Sequence, residues 1–254
     1  MKEIDSIKDE IFKVLRECRT AKGREELGMF LVEDDDVFTA INAGASVCDI
    51  VVIPEFAKAK PAGLQGLQPY VMKKAMMKKL FSGGKLPNII ATIKKKECRL
   101  SDFTTKKFIL VMEGVQQASN IGMMMRTAEG LGVEGIVVIA DGITELYSRN
   151  VIQASRGSFF RMPMALADRG QALAFLRNNA FTTIATSSHT DKSLSTYTVP
   201  EGPIAVAVGN ETNGVTDSIL DAADDIVAIP MQGNIESLNV VVSAGIVLYA
   251  INSA

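Results

Sequence analysis

PIAVAVGNETNG, residues 203–214, opens on a proline, runs through an unbroken apolar stretch and ends in a loop of Gly, Asn and Thr. A strand that is apolar at every position is buried on both faces, the condition of a parallel sheet with helices on each side. In the loop, Gly209, Asn210 and Gly214 suit a tight backbone, and Glu211 is its one charge. Working back, FILVMEG (108–114) predicts a strand, Ile121 to Gly130 a helix, GIVVIAD (135–141) a strand and SRNVIQAS (148–155) a helix. FFRMPMA (159–165) then predicts a strand, GQALAFLRNN (170–179) a helix and TTIATS (182–187) a strand. Working forward, TDSILDAA (216–223) predicts a helix capped by Thr216, DIVAIP (225–230) a strand, and LNVVVSAGIVLYAIN (238–252) the terminal helix. Such alternation predicts an α/β fold with a mostly parallel sheet.

The first hundred residues predict a smaller α/β unit. IDSIKDEIFKVLREC (4–18) has helical spacing, GMFLVED (28–34) predicts a strand, and VFTAINAG (37–44) a short helix stopped by Gly44. CDIVVIP (48–54) and NIIATIK (88–94) predict strands, with KKAMMKKLF (73–81) a short basic helix between them. The expected division is 1–100, a linker at 101–107, and 108–254.

The charge supports a boundary there. The 254-residue chain holds 27 Lys+Arg and 29 Asp+Glu, a formal net of −2. Residues 1–107 hold 20 of the bases and 15 of the acids, a net of +5, and residues 108–254 hold 7 and 14, a net of −7. The total alone argues against a nucleic-acid partner; the split restores one for the N-terminal part. Arg24, Lys73, Lys74, Lys78 and Lys79 are its candidate RNA contacts, positioning phosphates without reading sequence. With 47% hydrophobic residues the chain is an ordinary globular one, not a disordered one. Cys18, Cys48 and Cys98 form no CxxC pair, and His189 is the only His, so no metal site is expected. The longest apolar run, Val240 to Ile251, is too short to span a bilayer, and the N-terminus has no signal-peptide pattern. A cytoplasmic setting with no membrane partner is expected.

Three loops at the carboxyl ends of the strands hold the candidate chemistry, since ligands of open parallel sheets sit there. They are QQASNIGMMMRTAEGLG (116–132), AVGNETNG (207–214) and IPMQGNIESLN (229–239). In the first, Ser119 or Asn120 is a candidate helix cap, Arg126 lies one turn on from Gly122, and the three methionines read as core filling. The loops lack both GxGxxG and a P-loop Lys, so neither dinucleotide nor nucleoside-triphosphate phosphates are expected. Their backbone groups and small polar residues suit a neutral, hydrogen-bonding ligand such as a nucleoside.

NIGMMMRTAEGLGV, AVGNETNGVT and IPMQGNIESLNVVVSAGIVLYA resemble, in order and spacing, the three motifs of the SpoU (TrmH-type) family of RNA ribose 2′-O-methyltransferases. ASRGSFFRMPM (154–164) resembles the segment that bridges the first two. The likeness covers 108–254, and motif 3 is its most specific part. The first hundred residues look like the ribosomal-protein-like substrate-binding domain of many members. Members commonly carry Asp-Pro shortly before the motif 1 Asn, where this chain has Gln117, Ala118 and Ser119. The resemblance implies a C-terminal trefoil knot, a homodimer, and S-adenosylmethionine as methyl donor. It places Gly209, Ile229 and Leu238 at the cofactor, with Thr186 and Met231 nearby. It places Asn120, Arg126, Glu211, Ser237 and Asn239 at the catalytic and substrate-facing positions.

The reaction implied is displacement of a sulfonium methyl by a ribose 2′-oxygen. His189 stands outside the motifs. Arg126 is left as base or as phosphate clamp; an intrinsic pKa above about 12 favours the clamp. Base C5-methylation generally uses a Cys nucleophile, and none of the three cysteines lies in a motif loop. The runner-up is a non-catalytic RNA-binding or ribosome-assembly factor on the same fold, and a third reading is another nucleotide-binding α/β enzyme.

Overall fold

The computed structural model describes residues 2–59, 61–81, 84–139, 146–210, 212–233 and 237–253. The chain divides into two compact units, Met1–Lys96 with Tyr147–Gln153, and Glu97–Leu146 with Ala154–Ala254.

The first unit contains β1 (Glu3–Ile4), α1 (Glu10–Glu17), α2 (Ala21–Leu27), β2 (Met29–Glu33), α3 (Asp35–Asn42), β3 (Val47–Val52), α4 (Pro54–Lys58), β4 (Tyr70–Met72), α5 (Lys74–Leu80) and β5 (Ile89–Lys94). Its sheet runs β1-β4-β3-β5-β2, with β1 and β3 parallel to β4, and β5 antiparallel to both neighbours. The helix expected from Ile4 starts six residues later, because the Asp9 carboxylate accepts the Ile11 N–H at 2.9 Å and caps it there. Ile4 instead pairs with Met72 in the sheet, and both join Phe12, Leu15, Met77 and Ile90 in the core. Arg24 is a second correction. It lies on α2 at 7% exposure, with a guanidinium nitrogen 3.5 Å from the Cys18 carbonyl, and so is not part of an outer basic surface.

Residues 147–153 belong to this unit although they come from the second half of the sequence. The Tyr147 ring lies 5.2 Å from that of Phe30, and the Lys95 ammonium 4.8 Å from the Tyr147 ring. Arg149 pairs at 3.0 Å with Glu33, whose carboxyl is pushed up by burial despite that partner.

The second unit contains β6 (Phe108–Glu113), α6 (Ala118–Gly130), β7 (Gly135–Ile139), the last two residues of α7 (Arg149–Ser155), whose first five belong to the first unit, then α8 (Ser158–Arg161), β8 (Met164–Ala167), α9 (Arg169–Asn178), β9 (Thr182–Thr186), β10 (Ile204–Val208), α10 (Asp217–Ala222), β11 (Asp225–Val227) and α11 (Val240–Asn252). Its sheet is parallel throughout, in the order β11-β9-β10-β6-β7-β8. β6, β7 and β10 are buried end to end, as the apolar runs of β7 and β10 and of β6 up to Glu113 require. The strand expected over 159–165 is replaced by the short helix α8, and β8 begins only at Met164. Gly157, at φ +92°, turns the chain into that helix, and Arg161 anchors it through paired bonds to Glu129 at 2.6 and 2.7 Å. The chain builds β6, β7 and β8 to one side of β6 and then places β9, β10 and β11 on the other. The strand order therefore reverses between β6 and β10.

Candidate active site

A cavity of about 310 Å³ lies at the carboxyl ends of β9, β10 and β11. Thr186, Gly209, Ile229, Met231, Ser237 and Leu238 all line it. The structure therefore brings together the residues expected at the cofactor, along with one expected at the substrate. It adds residues that the sequence reading left out, among them His189, Asp217 and Ser243. The lining combines aliphatic side chains with hydroxyls and backbone, and among the described lining residues there is no Lys or Arg.

The loop after β10 is shaped by backbone contact. A Cβ on Gly209 would fall 2.0 Å from the Gly214 carbonyl carbon and 2.1 Å from its oxygen, so no other residue fits. The Asn210 and Gly214 backbones bond each other in both directions, at 2.8 and 2.9 Å. The Asn210 side-chain oxygen accepts from the Thr212 and Asn213 N–H groups, while its amide donates to the Gly114 carbonyl at 2.9 Å. The segments after β6 and β10 are thereby tied together. Glu211 lies outside the described residues.

Beneath this tie sits Glu113, the last residue of β6, 3% exposed. Its carboxylate accepts from the Thr216 N–H at 2.8 Å, the Thr216 hydroxyl at 2.9 Å and Arg169 Nε at 2.5 Å. Thr216 stands at the N-cap of α10 as expected, but its hydroxyl serves Glu113 rather than the helix. An acid closing an otherwise apolar strand was the available sign, since a buried charge needs partners.

The positions expected on the substrate side fall in two places. Ser237 is in the cavity wall, whereas Asn120, Arg126 and Asn239 are not among its lining residues. α6 begins earlier than expected, with Gln117 at its N-cap making no side-chain bond, which leaves Asn120 in the first turn at 2% exposure. Arg126 is exposed on α6, one turn beyond Met123, and makes no ion pair among the described residues. Of the three methionines, Met124 and Met125 are in the core, and Met123 is 39% exposed. Asn239 caps α11, its side-chain oxygen accepting the Val241 N–H at 2.9 Å.

α11 packs along α6 closely enough that a Cβ on Gly245 would lie 3.3 Å from Thr127 Cγ2. Its outer side carries Val242, Ile246 and Tyr249, at 50, 38 and 64% exposure. In the first unit, Lys73, Lys74, Lys78 and Lys79 are all exposed, with Lys73 paired to Glu3 and Lys74 to Glu55 at 3.1 Å each. Among the described residues, no group of three or more His, Cys, Asp or Glu is arranged to hold a metal ion.

Residues 107–249 match the SpoU rRNA Methylase family. A Streptomyces azureus protein named 23S rRNA (adenosine(1067)-2'-O)-methyltransferase is 30% identical over 189 residues, 74% of this chain and 70% of its own length. A Bacillus subtilis protein named 23S rRNA (guanosine(2553)-2'-O)-methyltransferase RlmP is 28% identical over 98% of each chain. A solved RNA 2'-O ribose methyltransferase structure superposes with a TM-score of 0.75 at 27% identity, covering 98% of this chain and 97% of that one. The AdoMet-bound rRNA methyltransferase of Sinorhizobium meliloti shares the fold, with a TM-score of 0.87 at 22% identity over 99% and 97% of the two chains.

Proposed function

The chain belongs to the SpoU rRNA Methylase family, and from that membership we propose that it methylates the 2′-oxygen of a ribose in structured RNA, ribosomal rather than transfer RNA. The observation that carries this reading is the cavity. It is of a size for a nucleoside-bearing ligand, and its wall offers hydroxyls, backbone and the carboxylate of Asp217, without Lys or Arg among the described residues. That donor set fits the cationic cofactor S-adenosylmethionine and not a phosphate ligand. Gly209, Ile229 and Leu238 would hold it through their backbones, with Thr186 and Met231 beside them. When bound, S-adenosylmethionine supplies an electrophilic methyl group on a sulfonium. The residues of the chain have the remaining tasks of orienting the ribose and easing loss of its 2′-proton. Arg126 serves as a clamp on the target phosphate, and its charge lowers the effective pKa of the hydroxyl. Asn120, held in the first turn of α6, orients the groups around it, and Glu211, Ser237 and Asn239 complete the substrate side.

The working form in this reading is a homodimer. An outer stripe of Val242, Ile246 and Tyr249 at i, i+4 and i+7 on α11 supports it, since such a face is better covered than wet. Pairing through α11 and the adjacent α6 also gives Arg126 a route to the cavity of the partner. The knotted C-terminus is supported by the return of the chain after β11 to the cavity that the β10 loop already lines. The N-terminal domain, 1–100 with a linker at 101–107, presents RNA with Lys73, Lys74, Lys78 and Lys79, and is ribosomal-protein-like. The setting is cytoplasmic; no described helix is long and apolar enough to cross a membrane.

The test is methyl transfer from labelled S-adenosylmethionine to ribosomal and transfer RNA isolated from a strain lacking the gene, followed by mapping of 2′-O-methyl positions. Label at one ribose of ribosomal RNA is expected. Label confined to transfer RNA, or to a base, overturns the assignment.

A further inference from the structure

One wall of the cavity is a loop that lies outside all three motif segments. Residues 187–194 leave β9 and wind around the end of β11. The Ser187 N–H donates to the Val227 carbonyl at 3.1 Å, the Ala228 N–H to the Lys192 carbonyl at 2.9 Å, and the Leu194 N–H to the Ala228 carbonyl at 2.8 Å. The Thr190 hydroxyl reaches the Ile226 carbonyl at 3.4 Å. So held, the loop presents Ser187, Ser188 and His189 to the cavity.

The far end of the loop is fastened by side chains. Asp225, at the start of β11, accepts the Tyr197 phenol O–H at 2.6 Å on one carboxylate oxygen and the Lys192 ammonium on the other. The same ammonium lies 5.1 Å from the centre of the Tyr197 ring. The three side chains thus close on one another and bracket residues 193–196. Burial works to raise the Asp225 carboxyl, yet the bonds from Lys192 and Tyr197 outweigh it and hold the group below the usual carboxylate value. Burial, followed by the bond to Asp225, pushes the Tyr197 phenol well up, so it stays a neutral donor. A lone pair this exposed adds little to stability. What three mutual contacts on one carboxylate do provide is a fixed loop geometry.

We infer that Lys192, Asp225 and Tyr197 are positioning residues for the cofactor, fixing the wall formed by residues 187–189 so that their loss loosens S-adenosylmethionine while sparing the methyl-transfer step. The inference rests on the cofactor reading of the cavity given above.

Tyr197→Phe removes a single O–H and keeps the ring; Asp225→Asn keeps the shape and removes the charge. Calorimetric titration of the full-length protein with S-adenosylmethionine should show Kd raised about three- to tenfold in each, the cost of re-ordering a loosened wall on binding. The kcat at saturating cofactor should stay within about twofold, and the Tm of the cofactor-free protein should fall by no more than about 2–4 °C. His189→Ala should weaken binding too, and adding Tyr197→Phe to it should cost less than Tyr197→Phe costs alone, because both act through one wall. Unchanged affinity in Tyr197→Phe and Asp225→Asn, or a loss confined to kcat, overturns the inference while the cofactor reading stands. Simple additivity with His189→Ala overturns the route through the loop. A wild-type protein that does not bind S-adenosylmethionine overturns both readings together.

Discussion

The Asn210 side chain donates to the Gly114 carbonyl at 2.9 Å, joining residues 96 positions apart in the chain. With its other end the same side chain holds the turn of its own loop. Asn210→Ala therefore releases three bonds at once, and the loop bearing Gly209 loses its shape. The expected cost is about 1–3 kcal/mol of stability, the range for buried polar groups left unpaired, together with loss of measurable S-adenosylmethionine binding. Denaturant melts and calorimetry on the same preparation read both. Full affinity in the variant would mean that the turn is held by Gly209 and Gly214 alone.

Arg126→Ala should abolish methyl transfer and leave cofactor affinity unchanged, because Arg126 is exposed on α6 and does not line the cavity. Single-turnover transfer to RNA and calorimetry separate the two. Turnover near the wild-type rate would remove Arg126 from the substrate side.

Replacing Ile246 and Tyr249 with glutamate should yield a monomer by analytical ultracentrifugation, since both stand on the outer stripe of α11. The monomer should be folded and should lose methyl transfer, as it no longer reaches the Arg126 of a partner. An unaltered sedimentation profile would place any dimer contact elsewhere.

Reversing the charge of Lys73, Lys74, Lys78 and Lys79 together should flatten the dependence of RNA affinity on salt, by up to about 0.9 per phosphate contact removed. Arg24→Glu should behave differently. Its guanidinium is buried beside the Cys18 carbonyl, so the expected effect is a lowered Tm. An unchanged salt slope in the lysine variant would leave those side chains as solvated helix faces.

The parallel sheet and two of the three expected loops, those after β10 and β11 that line the cavity, were legible because they depend on local pattern: apolar runs that need two covered faces, and Gly and Asn where the backbone must turn. What was not legible depends on partners far off in the chain. Ile4 carries helical spacing with Ile7 and Ile11, yet the sheet claims it through Met72, 68 residues away. The hydroxyl of Thr216 has a local use as a cap and is taken instead by Glu113, 103 residues away. Arg24 reads as surface because arginines usually are, and nothing nearby in the sequence announces a buried one. His189 belongs to no motif, so only the path of its loop around β11 shows that it faces the cavity.

The residence of Tyr147–Gln153 in the first unit also bears on how such a protein can be inherited. A recombination event that exchanged everything before residue 97 would not carry a complete module. The incoming sheet would meet a Tyr147 selected for a different Phe30, and an Arg149 selected for a different Glu33. A mismatch at the second pair would leave an acid 7% exposed without its arginine. The two units are thus bound to change in step, and lineages that shuffle their first units should be found to have moved this seven-residue piece with them.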